Sequence, residues 1–386
     1  MRDSANGLAT DGVVERGGVE PVVERRADEQ RADEQRADEQ RADERRADER
    51  RPDERRRPGL AEPAVVAVDI GKRFGDHDVV QGLTFEVERG TIFGIIGPSG
   101  GGKTTTVRML LGVMRPTAGD LRVLGRQPHR FRRRDRERLG YMPQLFVLFP
   151  ELSVMENMGF AASIYGMSLF GRGKRIRRAL ELVELWDARD RPAGQLSGGM
   201  QRRLELAATL VHNPQVIFLD EPTAGIDPVL RAKFWEHFRA LRDEGRTLIV
   251  TTQYVTEAEF CDEILVLRDG QKVATGTPEH VRRLAMGGEV VTVAGPDLNR
   301  RAVTAIRAVD GVTRVTWEGQ DRLKVIVEDA GRTVPDLIEA LREADVEVDE
   351  ISEQHASFDD VFVQLMDRGA DAQPELVGGG RAESRR

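Results

Sequence analysis

The chain reads as an α/β protein followed by a smaller α+β domain. Three observations predict this. The apolar run TIFGII ends in a glycine-rich turn, as a strand buried in a parallel sheet would. A second apolar strand, Val216–Leu219, ends in the acids Asp220 and Glu221. Past Met286 the pattern changes to short strands and two amphipathic helices in the order βαββαβ, which is ferredoxin-like.

Taken in order, the elements fit that frame. The pentad RADEQ repeats from Arg26, drifts to RPDER and ends at Arg55, Arg56, Arg57 and Pro58. A five-residue period scatters the alanines around a helix, so no apolar stripe forms, and residues 1–62 are expected to be a disordered charged extension. The main domain is expected over 63–286, with a helical subdomain at about 145–205. VVAVDI and LTFEVE alternate like half-buried strands, residues 104–114 read as a helix, and another helix runs to about residue 211. The accessory domain is expected over 287–367, with strands near 289–293, 312–317, 322–327 and 346–351 and helices near 297–308 and 332–344. FDDVFVQLM ends it as a short helix, and 368–386 reads as a disordered Gly- and Arg-rich tail.

Composition excludes several classes. No stretch of eighteen apolar residues lacks charge, so no membrane span is expected, and without an apolar run in MRDSANGLATDG no secretory signal is expected either. The single cysteine, Cys261, rules out an intrachain disulfide and a cysteine metal site, and fits a reducing compartment. A formal charge of -8 argues against general nucleic-acid binding.

The chemistry is concentrated in a few segments. Gly97, Pro98, Ser99, Gly100, Gly101, Gly102, Lys103 and Thr104 satisfy G-x-x-x-x-G-K-[ST] between a strand and a helix. Glycines allow backbone N–H groups to turn inward around phosphate oxygens. Lys103 would reach the β- and γ-phosphates, and the Thr104 hydroxyl would complete a Mg²⁺ shell. Asp220 is the expected second support for Mg²⁺, and Glu221 would polarise an attacking water. Gln144, after Tyr141, Met142 and Pro143, offers an amide to both the metal and the water. Ser197, Gly198 and Gly199 open a helix with a second anion-binding start that lacks a lysine. Asp227 follows six residues after Glu221.

In this order and at these spacings, GPSGGGKTT, Gln144, LSGGMQ, VIFLDEP and AGID resemble the ATP-binding subunit of ATP-binding-cassette (ABC) transporters, over roughly 64–286. The resemblance implies a P-loop NTPase cassette with a helical subdomain, ATP and Mg²⁺ as ligands, and ATP hydrolysis. It implies a head-to-tail dimer, expected to be a homodimer. There the phosphate loop through Thr105 faces Ser197, Gly198, Gly199 and Gln201 of the second copy, with Asp227 nearby. Phe74 would stack on adenine, where the family more often has tyrosine. Gln253 stands where the family usually has a histidine that contacts the γ-phosphate, and in this it is similar to the daunorubicin-resistance exporter type. The C-terminal pattern is similar to extensions of drug, lipid and polysaccharide exporter subunits.

The resemblance also implies separate transmembrane permease subunits, peripheral attachment at the cytoplasmic face of the membrane through them, and no nucleic-acid partner. The run from Leu145 to Phe149 reads equally as the coupling contact or as buried core. The basic run Phe131–Arg138 reads as a solvated helical face, near which leaflet lipid could lie. The rival is a soluble cassette ATPase or a nucleotide-dependent regulator uncoupled from transport. Soluble members acting on ribosomes or DNA carry paired cassettes, zinc modules or coiled coils, and this chain has none of them.

Overall fold

The computed structural model describes residues 62–371 other than Phe146. The pentad extension through residue 61, the tail from residue 372, and Phe146 of the apolar run lie outside the described residues.

Strands β1 (Val65–Phe74), β2 (His77–Val87) and β4 (Ala118–Val123) form an antiparallel sheet in the order β2-β1-β4. The central sheet holds β3 (Ile92–Ile96), β5 (Leu139–Met142), β6 (Val216–Asp220), β7 (Thr247–Thr252), β8 (Glu263–Arg268) and β9 (Gln271–Gly276). Its order is β5-β6-β7-β3-β8-β9, parallel throughout except at the β9 edge. Every residue of β3, β6 and β7 is buried. Alternate side chains feed two different cores: Ile92 and Ile96 enter one, Phe93 and Ile95 the other. A strand covered on both faces has to be apolar at every position, which is why these runs do not alternate.

Helix α1 (Lys103–Leu110) leaves the phosphate loop. It stops before the expected residue 114 because Gly112 takes a left-handed φ of 71° and turns the chain. The short α2 (Arg133–Arg136) carries the basic run. The helical subdomain follows with α3 (Val154–Ile164), α4 (Arg172–Leu182) and the start of α5 (Gly198–Leu210). Ser153 and Glu156 form a reciprocal capping box at α3. Met158, Ile176, Leu180 and Leu204 bury the inner face of the subdomain. Its outer face differs from the buried-core alternative: Leu145 is 76% exposed, Val147 61% and Phe149 42%. Among the described residues of that run, only Leu148 packs against the core. Helices α6 (Pro228–Asp243) and α7 (Pro278–Met286) complete the cassette.

The C-terminal region contains β10 (Glu289–Ala294), α8 (Arg300–Ala308), β11 (Val312–Trp317), β12 (Arg322–Val327), α9 (Ala330–Glu343) and β13 (Glu350–Gln354). The sheet order β11-β12-β10-β13, with every pairing antiparallel, is the ferredoxin-like topology. Helix α8 starts at Arg300, later than expected, because the Asn299 side chain caps it. The last strand lies at 350–354, not 346–351, because Val346 closes a turn onto Leu341 and packs into the domain core. Helix α10 (Phe358–Asp371) then folds back onto the cassette. Its Phe358, Val361 and Leu365 join the core that contains Ile96, Ala258, Ile264 and Val281. Arg282 of α7 fastens its start, donating to the Ala356 carbonyl at 2.9 Å and lying 4.7 Å over the Phe358 ring.

Candidate active site

The parallel order β6-β7-β3 brings three carboxyl ends together, and ligands of open α/β sheets sit at such ends. Gly97, Glu221 and Gln253 are the residues that follow these strands. Gly97 lies against the Leu267 carbonyl, where any Cβ would collide, and its N–H bonds to the Thr252 carbonyl at 3.3 Å. Gly100 and Gly102 have φ of 81° and 93°, left-handed values that bend the loop into a cradle. Pro98, Ser99 and Gly100 form its exposed lip, and Gly101 and Gly102 its buried base.

Lys103 is 4% exposed, and its ammonium curls back into the cradle. It donates to the carbonyls of Gly97 at 2.9 Å and Pro98 at 3.0 Å, and lies 3.5 Å from a Glu221 carboxylate oxygen. The second Glu221 oxygen accepts from the Gln144 amide at 2.9 Å. Asp220 is 1% exposed and accepts from the hydroxyls of Thr251 at 2.6 Å and Thr104 at 3.2 Å. One cation, two carboxylates, an amide and two hydroxyls therefore converge on the cradle. Burial, with the Asp220 charge nearby, pushes the neighbouring Tyr141 phenol up.

Glu221 adopts φ 48°, unusual for a residue with a side chain. Its N–H is held by the Thr251 hydroxyl at 2.9 Å and carbonyl at 3.1 Å, and this clamp aims the carboxylate at the loop. Beneath it lies Arg202, 7% exposed, which the sequence reading missed. Its guanidinium donates to the carbonyls of Pro143 at 2.8 Å, Glu221 at 2.8 Å and Pro222 at 3.0 Å, and to the Glu205 carboxylate at 2.7 Å. It thus ties the Gln144 segment to the acid-bearing turn. Burial raises the Glu205 carboxyl, against the opposing pull of Arg202. The available signal was Glu205 inside the otherwise apolar LELAATL stretch, where a charge needs a partner, with Arg202 three residues before it.

Other predicted residues lie apart from this cluster within one chain. Ser197 caps α5, accepting from the Met200 N–H at 3.3 Å, and Gly198 begins the helix on the surface. Gly199 packs against Leu230, and Gln201 donates to the Ala193 carbonyl at 3.1 Å. Among the described residues, no hydrogen bond joins this segment to the phosphate loop. Asp227 caps α6, accepting from the N–H groups of Val229 and Leu230 at 3.0 Å. Phe74, 45% exposed at the end of β1, has the Lys72 ammonium 5.2 Å from its ring. Thr105 is half-buried in the first turn of α1, and Gln253 is exposed just past β7. The segment after Gln253 is braced by Glu257, which accepts from the Thr223 hydroxyl at 2.7 Å, and by Arg231 stacked 4.3 Å from the Tyr254 ring.

The cradle suits a polyphosphate, since it offers inward backbone and a buried lysine that can exchange its carbonyl partners for phosphate oxygens. Among the described residues, no group of three or more His, Cys, Asp or Glu side chains gathers to hold a metal unaided. Thr104 and Asp220 present hard oxygen donors side by side, which fits Mg²⁺ completing its shell with phosphate and water.

Comparison with known proteins agrees with this geometry. The ABC transporter family model matches residues 80–224. The Nod factor export ATP-binding protein I of Ralstonia nicotianae is 41% identical over 243 residues, covering 62% of this chain and 76% of that protein. The chain belongs to the ABC transporter ATP-binding family. This ABC ATPase also matches, over residues 276–366, the model described as ATP-binding protein DrrA1-3-like, C-terminal domain, which sets it in the DrrA-type exporter subfamily. The probable multidrug ABC transporter ATP-binding protein YbhF of Escherichia coli is 37% identical, over 59% of this chain and 39% of that one. Among solved structures, an ATP-binding subunit of an ABC transporter superposes with a TM-score of 0.53 at 26% identity, over 57% of this chain and 92% of that one. A dimeric cassette bound to ADP and Pi gives 0.51 at 26% identity, over 55% and 98% respectively. The ABC ATPase is an enzyme that binds ATP and couples its hydrolysis to transport.

Proposed function

We propose that this ABC ATPase powers export of a drug, lipid or other hydrophobic or polymeric substrate through separate permease subunits, from the cytoplasmic face of the membrane. The observation that carries the reading is the convergence of Lys103, Glu221, Gln144, Asp220 and Thr104 on one glycine cradle. No helix among the described residues is long and apolar enough to cross a membrane, and in this reading the conducting path is supplied by other subunits. The exposed Leu145, Val147 and Phe149 on the helical subdomain support a protein partner that covers them.

Two copies would complete two sites. The cradle of one would face Ser197, Gly198, Gly199 and Gln201 of the other, with Asp227 lining the seam. The exposed α5 start supports this, because the Ser197 cap takes the Met200 N–H and leaves those of Gly198 and Gly199 to an incoming phosphate. Phe74 would stack on adenine, Lys103 would leave the loop carbonyls for the β- and γ-phosphate oxygens, and Thr105 would line the loop. Mg²⁺, held by Thr104, Asp220 and Gln144, would offset charge between the phosphates. Glu221 would orient and take a proton from the attacking water as its oxygen bonds to the γ-phosphorus and the bond to the bridging oxygen breaks. Gln253 would donate an N–H to the γ-phosphate.

Glu221→Gln tests this composite site. The amide keeps the shape but cannot accept the proton, so hydrolysis should fall at least about a thousandfold. Sedimentation in Mg-ATP should show a stable dimer. An ATP-loaded variant that stays monomeric would rule out the two-copy site.

A further inference from the structure

Residues 165–171 connect α3 to α4 and carry no catalytic group. Leu169 is 80% exposed and Phe170 95%, and Ile164 at the end of α3 is 65% exposed. Three large apolar side chains facing water in and beside one connection are costly unless something covers them. The connection is not loose. Gly166 and Met167 donate to the Ser163 and Ala162 carbonyls at 2.9 and 3.0 Å. Arg172 donates to the Ser163 hydroxyl at 2.9 Å and also binds the Gly159 carbonyl. Leu169 and Phe170 are held outward on a fixed base.

The surroundings of this tip are basic on two sides. The first turn of α4 has no acid and exposes Lys174 and Arg175. On the other side the Arg133 guanidinium packs where any side chain on Gly166 would collide, which brings α2 alongside. Arg133 is paired with Glu137 at 2.9 Å, while the exposed Arg134 and Arg136 pair with no acid among the described residues. A chain with a formal charge of -8 therefore surrounds its most exposed apolar tip with cations. Apolar side chains that can enter the acyl boundary, with lysine and arginine at headgroup depth, match an anionic bilayer surface.

We infer that Leu169 and Phe170, flanked by Lys174, Arg175, Arg134 and Arg136, dock directly on an anionic lipid surface, without needing the permease. The chemical complement is a leaflet of acidic phospholipid. The apolar pair inserts at the interface and the long basic stems reach the phosphates.

Co-sedimentation of the full chain with protein-free vesicles tests this in isolation from ATP turnover. Vesicles containing phosphatidylserine should bind the chain, pure phosphatidylcholine vesicles should bind it poorly, and salt should weaken the binding. Lys174→Ala with Arg175→Ala should lower the partition coefficient about thirtyfold. Leu169→Ser with Phe170→Ser should lower it about tenfold or more. Melting temperature and soluble ATPase rate should stay at parent values in both, because these side chains face water. The inference fails if the parent ignores phosphatidylserine vesicles. It also fails if both variants bind like the parent, which would move the binding elsewhere, for example to the basic run Arg55–Arg57. Loss of permease assembly with vesicle binding intact would give the surface to a protein and overturn the lipid reading.

Discussion

Of the three sheets described, the central sheet of the cassette and the sheet of the ferredoxin-like domain are built on opposite rules. At the carboxyl ends of β6, β7 and β3, the buried groups include Lys103, Asp220, Glu221, Thr251 and Arg202, and each is held by named partners. The ferredoxin-like domain buries valine, leucine and isoleucine almost exclusively, with Thr292 and Thr333 its only buried polar residues among those described. The first arrangement spends stability to hold charge where charge is useful, and the second has only to fold. A buried polar group left alone costs far more than a methyl lost from an apolar core. Mutational sensitivity should therefore be steep and pairwise at the first sheet, and graded with side-chain size in the apolar packing around the second.

Arg202→Ala is the strongest test of that contrast. It strands the Glu205 carboxylate, which is 3% exposed, and frees the Pro143, Glu221 and Pro222 carbonyls around the acid-bearing turn. Stability should fall by about 3–5 kcal/mol, read by denaturant unfolding. Adding Glu205→Ala should restore part of the loss. Strict additivity of the two changes would break the pairwise picture.

The graded rule for apolar packing is also expected outside the second sheet, where α10 meets the cassette: Leu365→Ala empties a 3%-exposed position there. The expected cost is about 2–4 kcal/mol in thermal melting, with Leu365→Met close to neutral. An unchanged melting temperature for the alanine variant would mean that α10 does not pack as described.

Gln253→Ala should have the smallest effect, and only on rate. A neutral donor to a charged acceptor contributes about 1.5–3 kcal/mol, so single-turnover hydrolysis should slow by roughly ten- to a hundredfold. Stability should be unaltered, because the side chain is exposed. A parent-like rate would reduce Gln253 to a polar strand end.

The candidate cluster was legible because phosphate chemistry calls for particular residue types at fixed spacings. Lys103, Thr104, Asp220, Glu221 and Gln144 could be named from the sequence, and the fold brings them together. Arg202 and Thr251 were not legible. Their work is to hold backbone carbonyls and N–H groups, and backbone partners leave no mark on a sequence. Strand order in the second domain followed from its βαββαβ pattern, but the start of β13 did not. Val346 is apolar in a turn that packs inward, and single-sequence periodicity cannot separate that from a strand. The exposure of Leu145, Val147 and Phe149 was equally hidden, since an apolar run reads the same whether a core or a partner covers it.

The return of α10 to the cassette also fixes how the second domain can move. That domain is joined to the cassette through Gly287 and Gly288 at one end and through residues 355–357 at the other. A body on one tether can swing about any axis, whereas a body on two can turn only about the line between its attachments. Both glycines of the first tether have positive φ, 80° and 147°, and the second tether is pinned by Arg282 at Ala356. The ferredoxin-like domain is thus tied to the cassette at both ends, so a load on it would reach α10. Since α10 packs against Ile96, the last residue before the phosphate loop, that load path leads toward the cradle.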